Sequence, residues 1–260
     1  KNRNNYLKFP WDNGITAESM EQYYDTIEHV DFVHALSKAP IIKAQHPDYE
    51  ISRFGIHAQR GVSCADCHMP YLSEGGVKFT DHHIQSPLNM IDRSCQVCHR
   101  ESEETLRQNV YNNQDRVRQL LAIAEETLVK AHIEAKTAWD AGATEEQMSP
   151  ILTFIRRGQW RWDYVAASHG AGFHAPLESA TVLGTSIQRA EEARGRLAVL
   201  LTELGVKIPV DYPDLSTKEK AQEYIGFNLR ESSKEKEIFL ESKVPQWDKA
   251  VKIPRAEQTR

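Results

Sequence analysis

The sequence predicts an all-α fold in which an irregular first part, about residues 1–100, precedes long antiparallel helices in about residues 101–260. Three observations lead to this class. Apolar residues recur at steps of three and four over long stretches after residue 102. Capping residues and glycines mark the ends of those stretches. No segment alternates apolar and polar residues with the period of two that is typical of strands. We expect the two parts to form one continuous unit.

The first part contains one predicted helix. Residues 1–14 are polar and rich in turn formers, and Thr16 can cap a helix that extends to about Ser37, before Pro40. Its candidate inward side chains are Met20, Tyr24, Ile27 and Phe32. From Pro40 to His99 the periodicity disappears, so we expect short helical turns at most, organised by a bound group and not by an apolar face.

Four helices are predicted in the second part. The first covers about residues 103–140, and its apolar stripe consists of Val110, Val117, Leu121, Ala124, Leu128, Ala131, Ala135 and Ala138. Gly142 ends it, and Thr144 with Gln147 forms a capping box for the second, about 145–168. The third covers about 176–204, and the last about 217–242 with Ser216 and Glu219 as its cap. The stripes favour a core within the chain; a dimerisation surface is the alternative.

All four cysteines lie in two C-x-x-C-H motifs, Cys64 to His68 and Cys95 to His99. This motif is typical of covalent haem c attachment, in which both thiols bond to the porphyrin and the histidine binds the iron. A zinc site is the main alternative, but the interval between the two pairs exceeds the roughly 15 to 20 residues of the common zinc spacing. Zinc also does not require a histidine after each pair, which chance would supply roughly once in several hundred cases. A thioredoxin-like redox pair needs an α/β context that the sequence lacks.

Each of these irons needs a second axial ligand unless it binds substrate. The candidates near the motifs or in the glycine-rich break after the second long helix are His46, His57, His82, His83, His169 and His174. His29, His34 and His132 lie inside helical patterns, and we interpret them as structural. Few methionines lie close to the motifs, so histidine is the favoured ligand at both irons.

Composition excludes several classes of function. The formal net charge of −5 argues against a general nucleic-acid binder. No run of about 18 apolar residues is present that could span a membrane. The chain opens without the apolar region of a signal peptide, although haem attachment takes place outside the cytoplasm, so we expect an export signal to have been removed.

Taken together, the motifs resemble the C-terminal part of the pentahaem cytochrome c nitrite reductases. The residues that carry this resemblance, in order, are Lys43-Ala44-Gln45-His46-Pro47, Gly55-Ile56-His57, the two C-x-x-C-H motifs, Thr80-Asp81-His82, Gln159-Trp160-Arg161-Trp162-Asp163, Ser168-His169-Gly170, His174-Ala175-Pro176, Ser216-Thr217-Lys218-Glu219-Lys220-Ala221 and Pro245-Gln246-Trp247. They cover essentially the whole chain.

The resemblance implies an activity and a location. Members of that family reduce nitrite to ammonia with six electrons at a lysine-ligated haem, in the periplasm. They are usually homodimers joined through long C-terminal helices, and a quinol dehydrogenase or a soluble multihaem cytochrome supplies their electrons. The resemblance therefore implies nitrite as substrate, haem c and calcium as cofactors, and a homodimer.

The resemblance also implies roles for single residues. His46 matches the distal active-site histidine, and Lys43 (backbone carbonyl) and Gln45 (side-chain oxygen) match ligands of a nearby calcium ion. His57 matches the second ligand of the haem on Cys95, Cys98 and His99. His174 matches the second ligand of the haem on Cys64, Cys67 and His68. His82 matches a ligand of a haem attached in another part of the protein.

The chain departs from the family pattern in what it lacks. The C-x-x-C-K motif of the catalytic haem, two further C-x-x-C-H motifs, the active-site arginine and tyrosine, and the other calcium ligands have no match in it. We therefore expect the C-terminal portion of a larger, five-haem enzyme. A non-enzymatic multihaem electron carrier is the alternative, and an enzyme acting on hydroxylamine or sulfur oxyanions is a third. The roles of His83 and His169 stay open.

Overall fold

The computed structural model describes residues 8–250, with side chains as far as Trp247, and the chain divides into two compact units between Val210 and Asp211. The helices of the first unit are α1 (Ala17–Thr26), α2 (Asp48–Ser52), α3 (Ile56–Gln59), α4 (Cys64–His68), α5 (Glu103–Asp140), α6 (Glu145–Ala166), α7 (Ala171–His174) and α8 (Pro176–Glu203). Two antiparallel ribbons complete it, β1 (Phe32–Val33) with β2 (Pro40–Ile41) and β3 (Tyr71–Glu74) with β4 (Val77–Thr80). The all-α class is confirmed; the sequence did not predict the small ribbons.

The core of the first unit lies where α5, α6 and α8 pack against one another. The predicted stripe of α5 is buried apart from Leu121, which is half-buried against the same core. Gly158 of α6 permits a close approach to α8, because a Cβ there would lie 3.2 Å from the Ser186 carbonyl oxygen. The Ser186 hydroxyl also donates to the Gly158 carbonyl at 2.8 Å. The stripes therefore form a core within the chain, as the sequence favours.

Capping side chains and a glycine mark the ends of the long helices. Ser102 caps α5 by accepting from the Thr105 N–H, and Gly142 follows the helix with a positive φ of 93°. The predicted capping box of Thr144 and Gln147 is present at the start of α6. The short connection between α5 and α6 makes the two helices antiparallel neighbours.

The first helix is shorter than predicted. Thr16 caps α1 as expected, but the helix ends at Thr26, well before Ser37. The chain leaves the helix at Glu28, whose φ is +51°, and the His29 N–H bonds back to the Tyr24 carbonyl at 2.9 Å. The buried Arg156 of α6 then donates to the carbonyl oxygens of His29 (2.9 Å) and Pro40 (2.8 Å), and it pairs with Asp25. These bonds hold residues 29–40 in the β1–β2 ribbon, where Phe32 lies 45 % exposed instead of inward.

The second unit, Asp211 onward, consists of α9 (Lys218–Tyr224), α10 (Leu229–Ser242) and α11 (Val244–Ala250). The sequence predicted one helix over about 217–242, and this was wrong. Gly226 adopts a positive φ of 69° after α9, and the Asn228 side chain caps α10 by accepting from two backbone N–H groups. The N-cap of α9 is Thr217, which accepts from the Lys220 N–H, and not Ser216.

Residues 1–7 of the predicted opening loop and residues 251–260 lie outside the described part of the chain. Within the described residues, none of the helices is both long and apolar enough to cross a membrane.

Candidate haem-binding and catalytic site

The first C-x-x-C-H motif folds into a single helical turn, α4. Ser63 and Asp66 cap it reciprocally, since the Ser63 hydroxyl oxygen accepts from the Asp66 N–H and the Asp66 carboxylate accepts from the Ser63 N–H at 2.7 Å. Residues three and four apart lie on one face of a helix. Cys64, Cys67 and His68 are therefore presented on the same side, with both thiols free.

The second motif adopts hydrogen-bonded turns. The N–H groups of Cys98 and His99 both donate to the Cys95 carbonyl, at 3.1 and 2.9 Å. The preceding Ser94 is buried, and its hydroxyl donates to the Met90 carbonyl at 2.7 Å. Burial raises the pKa of the Cys67 thiol, and the nearby thiols of the second motif raise it further. The two motifs therefore lie close to each other.

His68 is oriented for binding a metal. Its Nδ1 lies 2.8 Å from the Gln85 carbonyl oxygen, which can only accept, so Nδ1 carries the hydrogen and Nε2 keeps its lone pair. A hydrogen bond of this kind from the second ring nitrogen fixes the orientation of metal-binding histidines. A cavity of about 270 Å³ opens beside this ring, lined by Cys64, Ala65, His68, Met69 and Ile84.

His174 faces His68 from the break between α6 and α8. The ring centroids are 6.2 Å apart and the ring planes make an angle of 77°. Two glycines make room for this residue: a Cβ on Gly170 would lie 2.1 Å from the His174 ring, and a Cβ on Gly55 would lie 1.8 Å from its carbonyl oxygen. Burial lowers the pKa of His174, which favours the neutral ring that a metal ligand requires.

His57 and His99 form a second pair with nearly the same geometry. Their ring centroids are also 6.2 Å apart, with an angle of 78° between the planes. His57 lies in α3, whose N-cap is Gly55, and Phe173 contacts its ring at a centroid distance of 5.7 Å. Burial, and then the proximity of His99, lowers the pKa of His57.

Both pairs match the spacing of two imidazoles on opposite sides of one metal ion. With metal–nitrogen bonds of about 2 Å, such rings have centroids roughly 6 Å apart. Each pair contains one C-x-x-C-H histidine and one histidine from a distant segment, so the residues present fit two haem c groups with histidine on both faces. The ligand roles themselves stay predictions.

The zinc alternative fits the geometry less well. Among the residues that the structure describes, only His46, Asp48 and His169 bring three possible ligand atoms of His, Cys, Asp or Glu within 4.8 Å of one another. The four thiols therefore do not close around a single ion, as a structural zinc site would require.

His82 and His83 follow β4 and are held differently. The His82 Nδ1 lies 2.8 Å from the Thr80 carbonyl oxygen, which leaves its Nε2 for a metal. His83 Nδ1 lies 2.9 Å from an Asp81 carboxylate oxygen, and its side chain is 93 % exposed. Because both rings are exposed, either could meet a group outside this chain, and the assignment of His82 stays a prediction.

The segment that carries Lys43, Gln45 and His46 is anchored by two aspartates. The Lys43 Nζ donates to the buried Asp163 at 2.5 Å, and the Ala44 N–H donates to the other oxygen of the same carboxylate at 2.6 Å. The Lys43 N–H donates to Asp31 at 2.7 Å. These bonds leave Gln45 and His46 exposed at the end of a fixed segment.

His46 is held in an unusual conformation beside a third aspartate. Its φ is +50°, which non-glycine residues rarely adopt, and its ring centroid lies 5.1 Å from that of His169. Asp48 Oδ1 accepts from the Ser168 hydroxyl (2.8 Å) and the Gly170 N–H (2.9 Å), and Oδ2 lies 3.6 Å from His169 Nδ1. Partial burial raises the pKa of Asp48, but these hydrogen bonds lower it overall.

The sequence did not single out Asp31, Asp48 or Asp163 as functional residues. Asp163 falls within the stretch Gln159 to Asp163 that carries the resemblance, but its partners lie on a segment far away in the chain. No local pattern marks such a contact, so only the tertiary structure assigns it.

Comparisons with known proteins agree with the resemblance. The family model described as Cytochrome c552 matches residues 1–255. The chain is 58 % identical over 252 residues to cytochrome c-552 of Porphyromonas gingivalis, covering 97 % of this chain and 51 % of that protein. It is 60 % identical over 242 residues to cytochrome c-552 of Bacteroides fragilis, covering 93 % and 49 %. The chain thus spans about half the length of the curated relatives it matches.

A solved structure is similar as well. It is that of the catalytic subunit of cytochrome c nitrite reductase from Desulfovibrio desulfuricans, described with two calcium sites. The TM-score is 0.70 at 37 % sequence identity, and the match covers 77 % of this chain and 46 % of that one.

Proposed function

Since the chain belongs to the cytochrome c552 family, we propose that it is part of a periplasmic cytochrome c nitrite reductase that reduces nitrite to ammonia. In this proposal it holds two electron-relay haems and supplies the distal histidine of the active site. The observation that carries the proposal is the pair of matching geometries, His68 with His174 and His57 with His99, each at 6.2 Å between ring centroids.

The two haem groups are held by separate sets of residues. The first would be held by Cys64, Cys67, His68 and His174. The second would be held by Cys95, Cys98, His57 and His99. When bound, haem c would supply one-electron transfer. These residues would therefore orient and enclose relay centres, and nitrite would be reduced at a group attached outside this chain.

His46 is the residue that we propose to act on the substrate. An exposed imidazole on a fixed segment can hydrogen-bond a bound anion and deliver a proton near neutral pH. Asp163 positions it by holding Lys43 and Ala44. The Lys43 carbonyl and the Gln45 side-chain oxygen then serve as calcium ligands, which suits a cation that prefers oxygen.

Further partners follow from the same proposal. His82 reaches a haem attached in another part of the enzyme, a quinol dehydrogenase or a soluble multihaem cytochrome delivers the electrons, and the enzyme is a homodimer. The full polypeptide carries five haems, two of them on this chain.

The first test is the ratio of haem to protein in material purified from its natural source, from a pyridine haemochrome spectrum and the intact mass. About five covalent haems on a polypeptide about twice as long as this chain support the proposal. About two on a chain of this length favour an electron carrier. Zinc in place of haem contradicts both.

The second test concerns His46. In the complete enzyme, His46→Ala should lower nitrite turnover by about 100-fold or more, as loss of a general acid does, and leave the haem content unchanged. Lys136→Ala, which removes one side of an ion pair with Asp140 on α5, is the control. Unchanged turnover in His46→Ala would refute the role of this residue.

A non-enzymatic electron carrier is the second candidate, because both irons held by the described residues would have two histidine ligands. An enzyme acting on hydroxylamine or sulfur oxyanions is the third. Competition between these compounds and nitrite in a reduction assay separates the enzymes from each other, and absence of any reduction favours the carrier.

A further inference from the structure

His46, Asp48 and His169 bring three ligand atoms together at the surface of the first unit. Within the described residues this is the one group of three such side chains whose ligand atoms all lie within 4.8 Å of one another. His46 and His169 are exposed, the latter by 79 % of its side chain, and Asp48 is half-buried. A cation can therefore reach the group from solvent.

The spacing of the two rings differs from that of the haem-ligand pairs. Those pairs have centroids 6.2 Å apart, whereas the centroids of His46 and His169 are 5.1 Å apart and their planes differ by only 15°. At metal–nitrogen bonds of about 2 Å, imidazoles on opposite sides of an ion are roughly 6 Å apart, and imidazoles at a tetrahedral angle are roughly 5 Å apart. The centroid distance therefore differs from that of the haem-ligand pairs, and the ligand atoms of both rings and of Asp48 lie within 4.8 Å of one another.

Hydrogen bonds orient the Asp48 carboxylate so that it can be the third ligand. Its Oδ1 is anchored by the Ser168 hydroxyl and the Gly170 N–H, while Oδ2 lies on the side of His169. Anchoring of one carboxylate oxygen by hydrogen bonds is how ligand carboxylates are oriented in metal sites. The positive φ of His46 shows that the surrounding structure fixes this segment against its local preference.

We propose that His46, Asp48 and His169 form a binding site for a divalent transition-metal ion of the zinc type, with water as the fourth ligand. Two imidazoles and one carboxylate with an open position are the ligand set of catalytic zinc sites. Imidazole nitrogen also selects against calcium and magnesium, which prefer oxygen. The site is distinct from both haem-ligand pairs and does not rest on the proposed function. A metal ion bound at this site would make His46 unavailable to any reaction that uses this residue.

Equilibrium dialysis of the haem-loaded protein against zinc chloride tests the site, with bound metal measured by mass spectrometry. Excess calcium is kept in the buffer so that calcium, and not zinc, occupies sites lined by oxygen atoms. We expect one zinc ion per chain, and we expect His169→Ala and Asp48→Asn each to weaken binding by about 10- to 100-fold. His83→Ala is the matched control, because it removes an exposed imidazole beside a different carboxylate, Asp81. It should leave the affinity unchanged.

Two results would overturn the proposal: no stoichiometric zinc in the wild-type protein, or equal affinity in the wild type and His169→Ala. Circular dichroism and the haem spectrum verify the fold of each variant, and His169→Gln replaces His169→Ala if the latter does not fold. Nitrite turnover is measured separately without zinc, so failure of the proposed activity leaves the dialysis result interpretable.

Discussion

The imidazoles of His68 and His174 face each other at 6.2 Å between ring centroids, although one ends α4 and the other lies in α7, between the long helices α6 and α8. The rings make an angle of 77°, and the buried Nδ1 of His174 has no hydrogen-bond partner among the described residues. The break between the core helices α6 and α8 thus places His174 opposite His68, which belongs to a motif far away in the chain. Four predictions follow from this and related contacts.

Removal of His174 should change the spin state of one haem without removing it. Under the proposed assignment, the thiols of Cys64 and Cys67 would still attach the haem in His174→Ala, but one of its two histidine ligands would be lost. We expect unchanged haem content and a high-spin signal from one haem in absorption and electron paramagnetic resonance spectra. His29→Ala should stay low-spin throughout. A fully low-spin His174→Ala protein would contradict the assigned pair.

Gly170 should be required for the position of His174. A Cβ at this residue would lie 2.1 Å from the His174 ring, so Gly170→Ala must displace the ring and should give the same high-spin signal. Gly184→Ala is the matched control, because a Cβ there meets nothing within 4 Å. Within α8 that change should stabilise the protein by about 0.5–1 kcal/mol in urea unfolding. Identical spectra for both variants would refute the steric argument.

Asp163 should fix the segment of Lys43 to His46. Asp163→Asn replaces one carboxylate oxygen by an NH2 group, which cannot accept from Lys43 or Ala44, so one charge-assisted hydrogen bond worth about 1.5–3 kcal/mol is lost. We expect weaker calcium binding and a roughly tenfold lower nitrite turnover, with both haems still low-spin.

The control for this prediction is Asp115→Asn. Asp115 pairs with Arg118 at 3.5 Å on an exposed face of α5, where loss of an ion pair changes stability little. Equal turnover in Asp163→Asn and Asp115→Asn would show that the anchor does not position the segment.

His132 should make stability depend on pH. It is buried, stacks on His34 at 3.8 Å, and has its Nδ1 2.8 Å from the Ser37 hydroxyl oxygen. Burial lowers its pKa to about 3 in the folded protein, whereas in the unfolded chain the pKa has its ordinary value of 6.5. The contribution of this group is therefore fully present above about pH 6.5 and is lost as the pH falls towards 3.

Urea unfolding at several pH values between 7.5 and 4 would measure the contribution of His132 to the free energy of unfolding. His132→Gln should lose less free energy of unfolding over this range than the wild type, and His29→Gln should behave like the wild type. The same pH dependence in all three proteins would contradict the assignment to His132.

Features that depend on neighbours along the chain were predictable from the residues alone. The two C-x-x-C-H motifs, the caps at Thr16 and Thr144, and Gly142 after α5 are local signals, and the structure has the corresponding helix starts and ends. The periodic apolar stripes fixed the all-α class, because helical spacing alone decides which side chains share a face.

Contacts between groups that are distant in the chain could not be predicted in this way and are seen in the fold. The residues alone gave several candidate axial histidines, and packing brings the rings of His174 and His57 to centroid distances of 6.2 Å from those of the motif histidines. Arg156 fixes the segment after α1 by bonding to His29 and Pro40, and Asp163 anchors Lys43 across the fold. The physical reason is the same in each case: a buried charge or ring must find partners in space, and those partners leave no pattern in the sequence around it.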